Sequence, residues 1–428
     1  MHRNFTLALP VTLLFAACTF KVGDLGELTE ASATEDPSTS SATDPVTTSA
    51  GTAISGQTNG ESGNTSGSEE TGSSDPTEGL TPPDGVDILF VIDNSGSMAQ
   101  HQQRLSTAIP ALVAPLEAAG LDLRIAVTTT DAGNPRCPNA TYTPEGGAFQ
   151  ARSCREAIAD NQFKFGEDDF ASSCLDACPH ETITFSPTST DVDPSPAVRP
   201  WIEWSEGAGN VAVPLSEAIG CVLPQGVAGC GFESPLEAMF LALSRAQDPA
   251  DPAFGFLRTS ADLLVVMVTD ETDCSWAPAA KEIFTTNKVF WNDPVNDPAP
   301  TSALCWRAGI ECSGGPGTYD DCVAVDKGLD GTVTNDPSQA VLQPISRYQG
   351  VLSTILASKQ QAGSAAKVHV AAIAGVPVGY PGNPLVFADG DDAFVQGNYG
   401  IGPGCEGDGT IAVPPGRIRE VVEQTAPL

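Results

Sequence analysis

Basic residues are scarce in this chain of 428 residues, and their scarcity excludes one class of partner. Lys and Arg number 20 against 54 Asp and Glu, so the formal net charge is −34. Because the phosphate backbone of a nucleic acid is bound through Lys and Arg, we expect no nucleic-acid partner. An acidic surface of this kind predicts a soluble protein that repels anionic membranes and attracts cations.

Histidine is also rare, with 4 in the chain, and no histidine stands in a motif beside a Ser or Cys nucleophile. The usual constellation of a hydrolase is therefore missing, and we expect a protein that is not an enzyme. A metal-dependent hydrolase stays open as an alternative, because Asp and Ser side chains around a metal ion are compatible with hydrolysis.

Long apolar segments are missing except at the amino terminus. Residues 1–17 carry Arg3 and then an apolar stretch that ends at Ala17. This stretch is too short to span a bilayer and is typical of a secretory signal peptide. The small residues before Cys18 resemble the bacterial lipobox, with Phe15 in place of the usual Leu, which implies lipidation of Cys18. Cleavage after Ala17 without lipidation is the alternative.

The segment that follows, residues 18–84, is rich in Ser, Thr, Gly, Asp and Glu and has no Lys or Arg after Lys21. Such a composition predicts a disordered linker that repels itself. About 60 flexible residues have an average end-to-end distance on the order of 40 Å. The sequence thus predicts a lipoprotein whose domain is held away from the membrane. Thr19 is not an acidic retention residue, which favours the outer membrane of a bacterium.

A motif at residues 86–98 predicts a ligand site. The apolar run from Ile88 to Ile92 is typical of a strand buried on both faces of a parallel sheet. Asp93, Ser95 and Ser97 follow directly, at the carboxyl end of that strand, where open α/β sheets bind ligands. Three hard oxygen donors on one loop suit Mg²⁺, Mn²⁺ or Ca²⁺.

A second apolar strand ends in a carboxylate. Residues 262–270 begin and end with Asp, and Asp270 is their last residue. Two parallel strands that each end in Asp would bring both carboxylates to one crevice. Glu271 and Asp273 follow, either as acceptors around the ligands or, as the simpler interpretation, as solvated charges of a loop.

These residues resemble the von Willebrand factor A (VWA) family. Asp93, Ser95 and Ser97 match the first loop of that family's metal-ion-dependent adhesion site, and Asp270 matches its last metal position. Aligning the helix that begins near Pro235 places Glu233 where the family has a Thr. Glu233 is therefore a candidate ligand that could fill the place which the family keeps open for an acidic group of the partner. The alternative is a solvent-facing residue or one that favours the helix dipole.

The resemblance implies an α/β, Rossmann-like three-layer sandwich with a mostly parallel central sheet, in residues 85–428. It also implies a divalent cation as cofactor and protein–protein recognition or adhesion, with no named partner. A structural or assembly protein of the cell envelope, with a non-functional metal site, is the alternative.

Two stretches do not fit this resemblance and are predicted to be irregular insertions, at about 132–229 and 276–340. They hold most of the 12 cysteines, a number that fits an oxidising compartment. We expect a local bridge between Cys221 and Cys230 and a bridge from Cys274 to an insertion. Cys174 and Cys178 favour disulfides over a zinc site. Without Cys18 the count is odd, so at least one cysteine is expected to be free or to form an intermolecular bond, and Cys405 is the candidate.

Local patterns predict further elements. Pro110 and Pro115 predict a kinked or broken helix after the first loop. Ser234, Pro235 and Glu237 predict a capping box. His101 is expected on a helix surface and His369 in the core. Strands are predicted at 121–130 and 368–374, and a closing helix at 415–424.

The lipid anchor makes the first prediction. Replacing Cys18 by Ala removes the thiol that would carry the lipid, so the protein should move from the membrane fraction to the soluble fraction. Cell fractionation followed by immunoblotting measures this, with the unchanged chain as the reference. Membrane association that survives the replacement would contradict the lipoprotein assignment.

Overall fold

The computed structural model describes residues 13–16, 80–137, 143–407 and 409–425. Cys18 and nearly all of the predicted linker lie outside the described residues. The strands are β1 (Leu13–Ala16), β2 (Gly85–Ile92), β3 (Asp122–Thr129), β4 (Lys164–Phe165), β5 (Asp168–Asp169), β6 (Ile202–Ser205), β7 (Ala208–Gly209), β8 (Asp262–Val268), β9 (Ile310–Gly314), β10 (Thr318–Ala324), β11 (Val368–Ala374), β12 (Phe387–Ala388), β13 (Cys405–Gly407) and β14 (Thr410–Ala412). 

The α-helices are α1 (Ala99–Ala119), α2 (Cys154–Ala159), α3 (Ser172–Leu175), α4 (Leu215–Val222), α5 (Pro235–Arg245), α6 (Ala303–Gly309), α7 (Ile345–Gln361), α8 (Ala393–Tyr399) and α9 (Gly416–Thr425). Short 3₁₀ helices lie at Gly96–Met98, Pro278–Phe284 and Pro337–Gln339. In the described part of the chain, no helix combines the length and the apolar character needed to cross a membrane.

The central sheet has the order β1-β11-β8-β2-β3-β6-β7. The five strands from β1 to β3 in this order pair in parallel, whereas β6 and β7 add antiparallel pairs at the other edge. The chain is thus a mixed α/β protein with a mostly parallel central sheet, as predicted. Strand β1 belongs to the predicted signal peptide and pairs with β11.

Strand β2 is buried along its whole length, which confirms the predicted central strand. Ile88, Phe90 and Ile92 belong to a hydrophobic cluster that includes residues of α1 and α4. Leu89 and Val91 belong to a second cluster with residues of α5, α7 and α9. Alternate side chains therefore enter two cores, because successive residues of a strand point to opposite faces of the sheet.

Helix α1 runs without a break through Pro110 and Pro115, so of the two predicted alternatives, a kink or a break, the break is wrong. A proline inside a helix costs about 3 kcal/mol or more, because it lacks an N–H and clashes with the preceding turn. Leu105, Ile109 and Val113 are buried on the same face of α1. Fully burying such side chains contributes about 1.5–3 kcal/mol each, which offsets the cost of the prolines.

The first predicted insertion is more ordered than its sequence indicates. Its strand β6 pairs antiparallel with β3, and its helix α4 contributes Leu215, Ile219 and Val222 to the same cluster as α1. The expectation of an irregular insertion throughout 132–229 is therefore wrong for this second half. The sequence does not reveal β6, because its four residues are too few to show the alternation of apolar and polar side chains that predicts a strand.

Disulfides close loops within each insertion and join the insertions to the loops that flank them. Cys274 bonds to Cys305, as predicted. The predicted Cys221–Cys230 bridge is wrong. Cys221 in α4 forms a disulfide with Cys178. Cys230, whose backbone N–H donates to Asp131 after β3, forms a disulfide with Cys137. Cys405 is disulfide-bonded too, so the expectation that it lacks a partner is also wrong. The bridges with both partners described are Cys137–Cys230, Cys154–Cys174, Cys178–Cys221, Cys274–Cys305 and Cys312–Cys322.

The sulfur atoms of Cys154, Cys174 and Cys178 lie within 4.8 Å of one another, which is the spacing of a metal site. All three are oxidised in disulfides, however, and a thiolate is the form that binds zinc. The imidazole Nε2 of His180 lies 2.5 Å from Glu217 Oε2, and it is the backbone carbonyl of His180 that approaches Cys178 Sγ, at 3.2 Å. The structure thus favours the predicted disulfides over the zinc alternative.

These bridges should carry much of the stability. Replacing Cys178 and Cys221 by Ala opens a loop of 43 residues and should lower the free energy of unfolding by about 2–5 kcal/mol. The matched control is Cys312 and Cys322, whose loop of 10 residues should cost less in the chain-entropy model. Guanidinium unfolding measures both, and equal losses would contradict this account. Free thiols in the non-reduced protein would contradict the bridges themselves.

Candidate metal centre

The register of the central sheet places the predicted site residues side by side. Ile92 at the end of β2 lies opposite Val268 of β8 and Thr129 of β3. The residues that follow these three strands therefore emerge at one edge of the sheet. Asp93 and Asp270, predicted from two separate strands, both lie at this edge.

Asp93 is held by hydrogen bonds at both carboxylate oxygens. The backbone N–H of Ser95 donates to Oδ1 at 2.8 Å, and the hydroxyl of Thr269 donates to Oδ2 at 2.6 Å. Gln102 of α1 donates to the Asp93 carbonyl at 2.8 Å, which fixes the backbone. The side chain is completely buried, and this burial raises the pKa of Asp93 despite the hydrogen bonds.

Ser95 and Ser97 connect Asp93 to Asp270. The two serine hydroxyl oxygens are 3.1 Å apart, and Ser97 Oγ donates to Asp270 Oδ1 at 3.1 Å. His101 Nε2 lies 3.6 Å from Asp270 Oδ2 and is buried, so its predicted place on a helix surface is wrong. Ser97 is the exposed member of this group. The structure thus brings four of the five predicted ligands into one connected set.

Glu233, the fifth predicted ligand, is buried at the same edge, with 1% of its surface exposed. Its backbone is held because Cys274 N–H donates to the Glu233 carbonyl at 2.7 Å and Ser234 N–H donates to the Thr130 carbonyl at 3.0 Å. Both carboxylate oxygens lack a hydrogen-bond partner among the described residues. The solvent-facing alternative is therefore wrong.

The beginning of α5 is capped from another loop. Leu236 N–H donates to Asp273 Oδ1 at 3.2 Å, and Glu237 N–H donates to Ser275 Oγ at 2.9 Å. Ser234 makes no side-chain cap and donates to the Cys274 carbonyl instead. The predicted capping box is therefore wrong, because these donors are already satisfied by the loop after β8.

Glu271 and Asp273, interpreted either as acceptors around the ligands or as solvated charges of a loop, are both buried, so the solvated alternative is wrong. Asp273 forms an ion pair at 3.0 Å with Arg417 of α9, and both side chains are fully buried. Glu271 is 8% exposed, and its Oε2 has no hydrogen-bond partner in the described chain. Sequence reasoning placed Glu271 on the right loop, but its burial depends on helices that come later in the chain.

Four carboxylates thus share the pocket: those of Asp93, Glu233, Asp270 and Glu271. Burial and then the neighbouring carboxylates raise the pKa of Asp270 and of Glu233 well above their usual values. Burial, with the charge of Asp93 next, raises the pKa of Glu271 to about 7. Within the described residues, the imidazole of His101, which is charged only when protonated, is the one basic group at ion-pair distance from any of the four.

The donor set fits a hard divalent cation. Buried carboxylate oxygens without a partner are costly unless a cation or a proton neutralises them. Among the described residues, no three of these carboxylates converge within 4.8 Å of one another. An ion would therefore draw on the hydroxyls of Ser95 and Ser97 together with the carboxylates. Carboxylate and hydroxyl oxygens are the donors that Mg²⁺, Mn²⁺ and Ca²⁺ accept.

Comparison with known proteins adds no further information about this site. No protein-family model matches the chain, and no curated protein matches it. The resemblance to the VWA family therefore rests on Asp93, Ser95, Ser97 and Asp270 and on their placement.

The raised pKa values predict a pH dependence of stability. When a chelator keeps the site free of metal ions, the carboxyl groups titrate with protons alone. A carboxyl whose pKa is higher in the folded than in the unfolded protein binds more protons when folded. The free energy of unfolding therefore falls as pH rises between the two pKa values. For Glu271 this window runs from its usual 4.5 to about 7, a loss on the order of 3 kcal/mol. The melting temperature in chelator should fall by several degrees from pH 5 to pH 8.

Two comparisons check this interpretation. Glu271→Gln should flatten the decline, because it removes the titrating group but keeps the shape. Addition of Ca²⁺ or Mg²⁺ should raise the melting temperature more at pH 8 than at pH 5. A melting temperature that rises across this range, or a decline unchanged in Glu271→Gln, would contradict the interpretation.

Proposed function

We propose that the chain is an exported, lipid-anchored protein whose VWA-type domain binds a divalent cation and recognises a protein partner outside the cell. The observation that carries the proposal is the connected set of Asp93, Ser95, Ser97 and Asp270 at the carboxyl edge of parallel strands. Ligands bind at this edge in open α/β sheets. The two hydrophobic clusters on opposite sides of β2 support a three-layer arrangement.

The ion would bind through Ser95 and Ser97, with Asp93 and Asp270 supplying charge. It would neutralise carboxylates that β2 and β8 bring together, and so draw the two loops to each other. Glu233 adds an internal carboxylate in the place that the family leaves for an acidic group of the partner. The ion should therefore be retained without a partner, and recognition would depend less on an acid from outside.

The exposed rim of the site is the surface a partner would meet. Ser97 is exposed, whereas Asp93, Ser95 and Asp270 are buried. Phe165, at the end of β4, is 57% exposed and packs against Gly96. An added Cβ at Gly96 would lie 2.7 Å from the Phe165 ring, so a glycine is needed for this contact. Ser97 and Phe165 together offer a polar and an aromatic contact beside the ion.

The disulfides are consistent with export, because such bridges form and persist in oxidising compartments. Lipidation of Cys18 would hold the domain at the cell envelope. The membrane would be the outer membrane of a bacterium, because Thr19 is not an acidic retention residue. The buried Glu233 also suits the alternative of an envelope assembly protein, since an ion held by internal carboxylates stabilises loops without any partner.

Calorimetric titration of Mg²⁺ and Ca²⁺ tests the cation site. Asp93→Ala should weaken binding by roughly 10–100-fold or more, because it removes a charge and the acceptor for Ser95 and Thr269. Glu233→Thr should weaken binding less. Asp391→Ala, which changes an exposed loop carboxylate, is the matched control and should leave binding unchanged. Binding that survives Asp93→Ala would place the ion elsewhere.

Capture of proteins from envelope extract tests recognition. A specific partner should be retained by the wild-type domain with Ca²⁺ or Mg²⁺ and lost with a chelator or with Asp93→Ala. Phe165→Ala should reduce capture while leaving cation binding intact. Capture that is indifferent to chelator and to Phe165→Ala would favour the envelope assembly alternative.

A further inference from the structure

Glu233 and Glu271 bring two carboxyl groups together from different loops. Their side chains are within hydrogen-bonding reach of each other, and both are buried. When both are ionised, neither can donate a hydrogen bond. This explains why both oxygens of Glu233 and Oε2 of Glu271 have no hydrogen-bond partner in the part of the chain that is described. The pair must therefore share either a proton or a cation.

The charge of the whole pocket favours a cation over a proton. Four carboxylates carry four negative charges when ionised, and one divalent ion beside Asp93 and Asp270 would neutralise two of them. The remaining two charges, on Glu233 and Glu271, would stay buried without a cationic side chain in ion-pair contact, among the described residues. Burying such charges is costly, so a second neutralising ion is favoured.

The walls of this pocket are polar and come from later parts of the chain. Ser302, just before α6, donates to the Gly231 carbonyl at 3.1 Å, and its hydroxyl lies close to Glu271. Tyr399, the last residue of α8, interacts electrostatically with the carboxylates as well. Burial, and then Glu271 and the other three carboxylates, raise the pKa of its phenol. Tyr399 thus lies near the pair, and the second site needs its ring as a neighbour but not its phenol as a ligand.

We propose that Glu233 and Glu271 hold a second hard divalent cation beside the one at Asp93, Ser95, Ser97 and Asp270. The observation that points to a ligand is the set of buried, unpartnered oxygens on Glu233 and Glu271. Glu271 directly follows Asp270 in the chain, so the second ion would lie next to the first. The inference rests on the proposed cation site for its first ion.

The number of bound ions tests the inference. The full chain is titrated with Mn²⁺ alone at pH 7.5, and the bound ions are counted by native mass spectrometry and calorimetry. Wild type should bind two ions and Glu271→Gln one. Glu167→Gln, which changes an exposed carboxylate of similar size on the β4–β5 turn, should still bind two. Unchanged far-UV circular dichroism would show that each variant is folded.

The outcomes separate this inference from the proposed function. One ion in wild type that is lost in Asp93→Ala, with no change in Glu271→Gln, would overturn the second site and leave the proposed function standing. No bound ion in wild type would overturn both. Two ions in Glu271→Gln would also overturn the second site, because its carboxylate would be dispensable.

Luminescence of Tb³⁺, which accepts energy from nearby aromatic rings, gives a readout of position. Tyr399 lies beside Glu271, so Tyr399→Phe should reduce the emission excited through tyrosine by several-fold while two ions still bind. Tyr319→Phe, a tyrosine whose phenol bonds to Asp389, is the matched control and should not reduce it. Equal emission from both variants would place the second ion away from the Glu233–Glu271 pair.

Discussion

The parallel register of β2 and β8 is the constraint on which the candidate site depends. Because Ile92 lies opposite Val268, the residues that follow the two strands leave the sheet at the same level. The hydroxyl of Thr269 can then reach Asp93, and Ser97 can reach Asp270. A shift of one residue in either strand would turn its side chains to the opposite face and separate these groups.

Part of this arrangement follows from the sequence alone. Apolar runs that end in Asp predict both strands, and the position of such residues in a parallel sheet predicts that Asp93 and Asp270 meet. Local patterns also predict β11 and the helix at 416–425. Glu233 is predictable as a candidate ligand because it lies two residues before Pro235, where the sequence predicts the beginning of a helix. Each of these inferences uses neighbouring residues and the rules for one type of sheet.

The remainder depends on contacts between distant parts of the chain. Glu271 and His101 are buried by elements that no local pattern relates to them. Ser234 has the residue pattern of a capping box, but Asp273 and Ser275 accept the hydrogen bonds from the first N–H groups of the helix in its place. Disulfide partners are set by three-dimensional proximity, so Cys221 and Cys230 could not be assigned from their spacing. Helix α1 tolerates its prolines because of the core beneath it, which the sequence of the helix does not reveal.

The buried pair of Asp273 and Arg417 has a consequence for how the protein matures. Arg417 lies 144 positions after Asp273, and Asp273 also accepts hydrogen bonds from Leu236 and Ser275 beside the carboxylates. A chain that folds from its amino terminus therefore leaves Asp273 without its counter-charge until α9 docks. Until then the carboxylate of Asp273 is stabilised by water instead of by Arg417, and the charge pair becomes buried only when the last helix packs. The order in which the chain folds thus sets when the buried carboxylate of Asp273 gains its counter-charge.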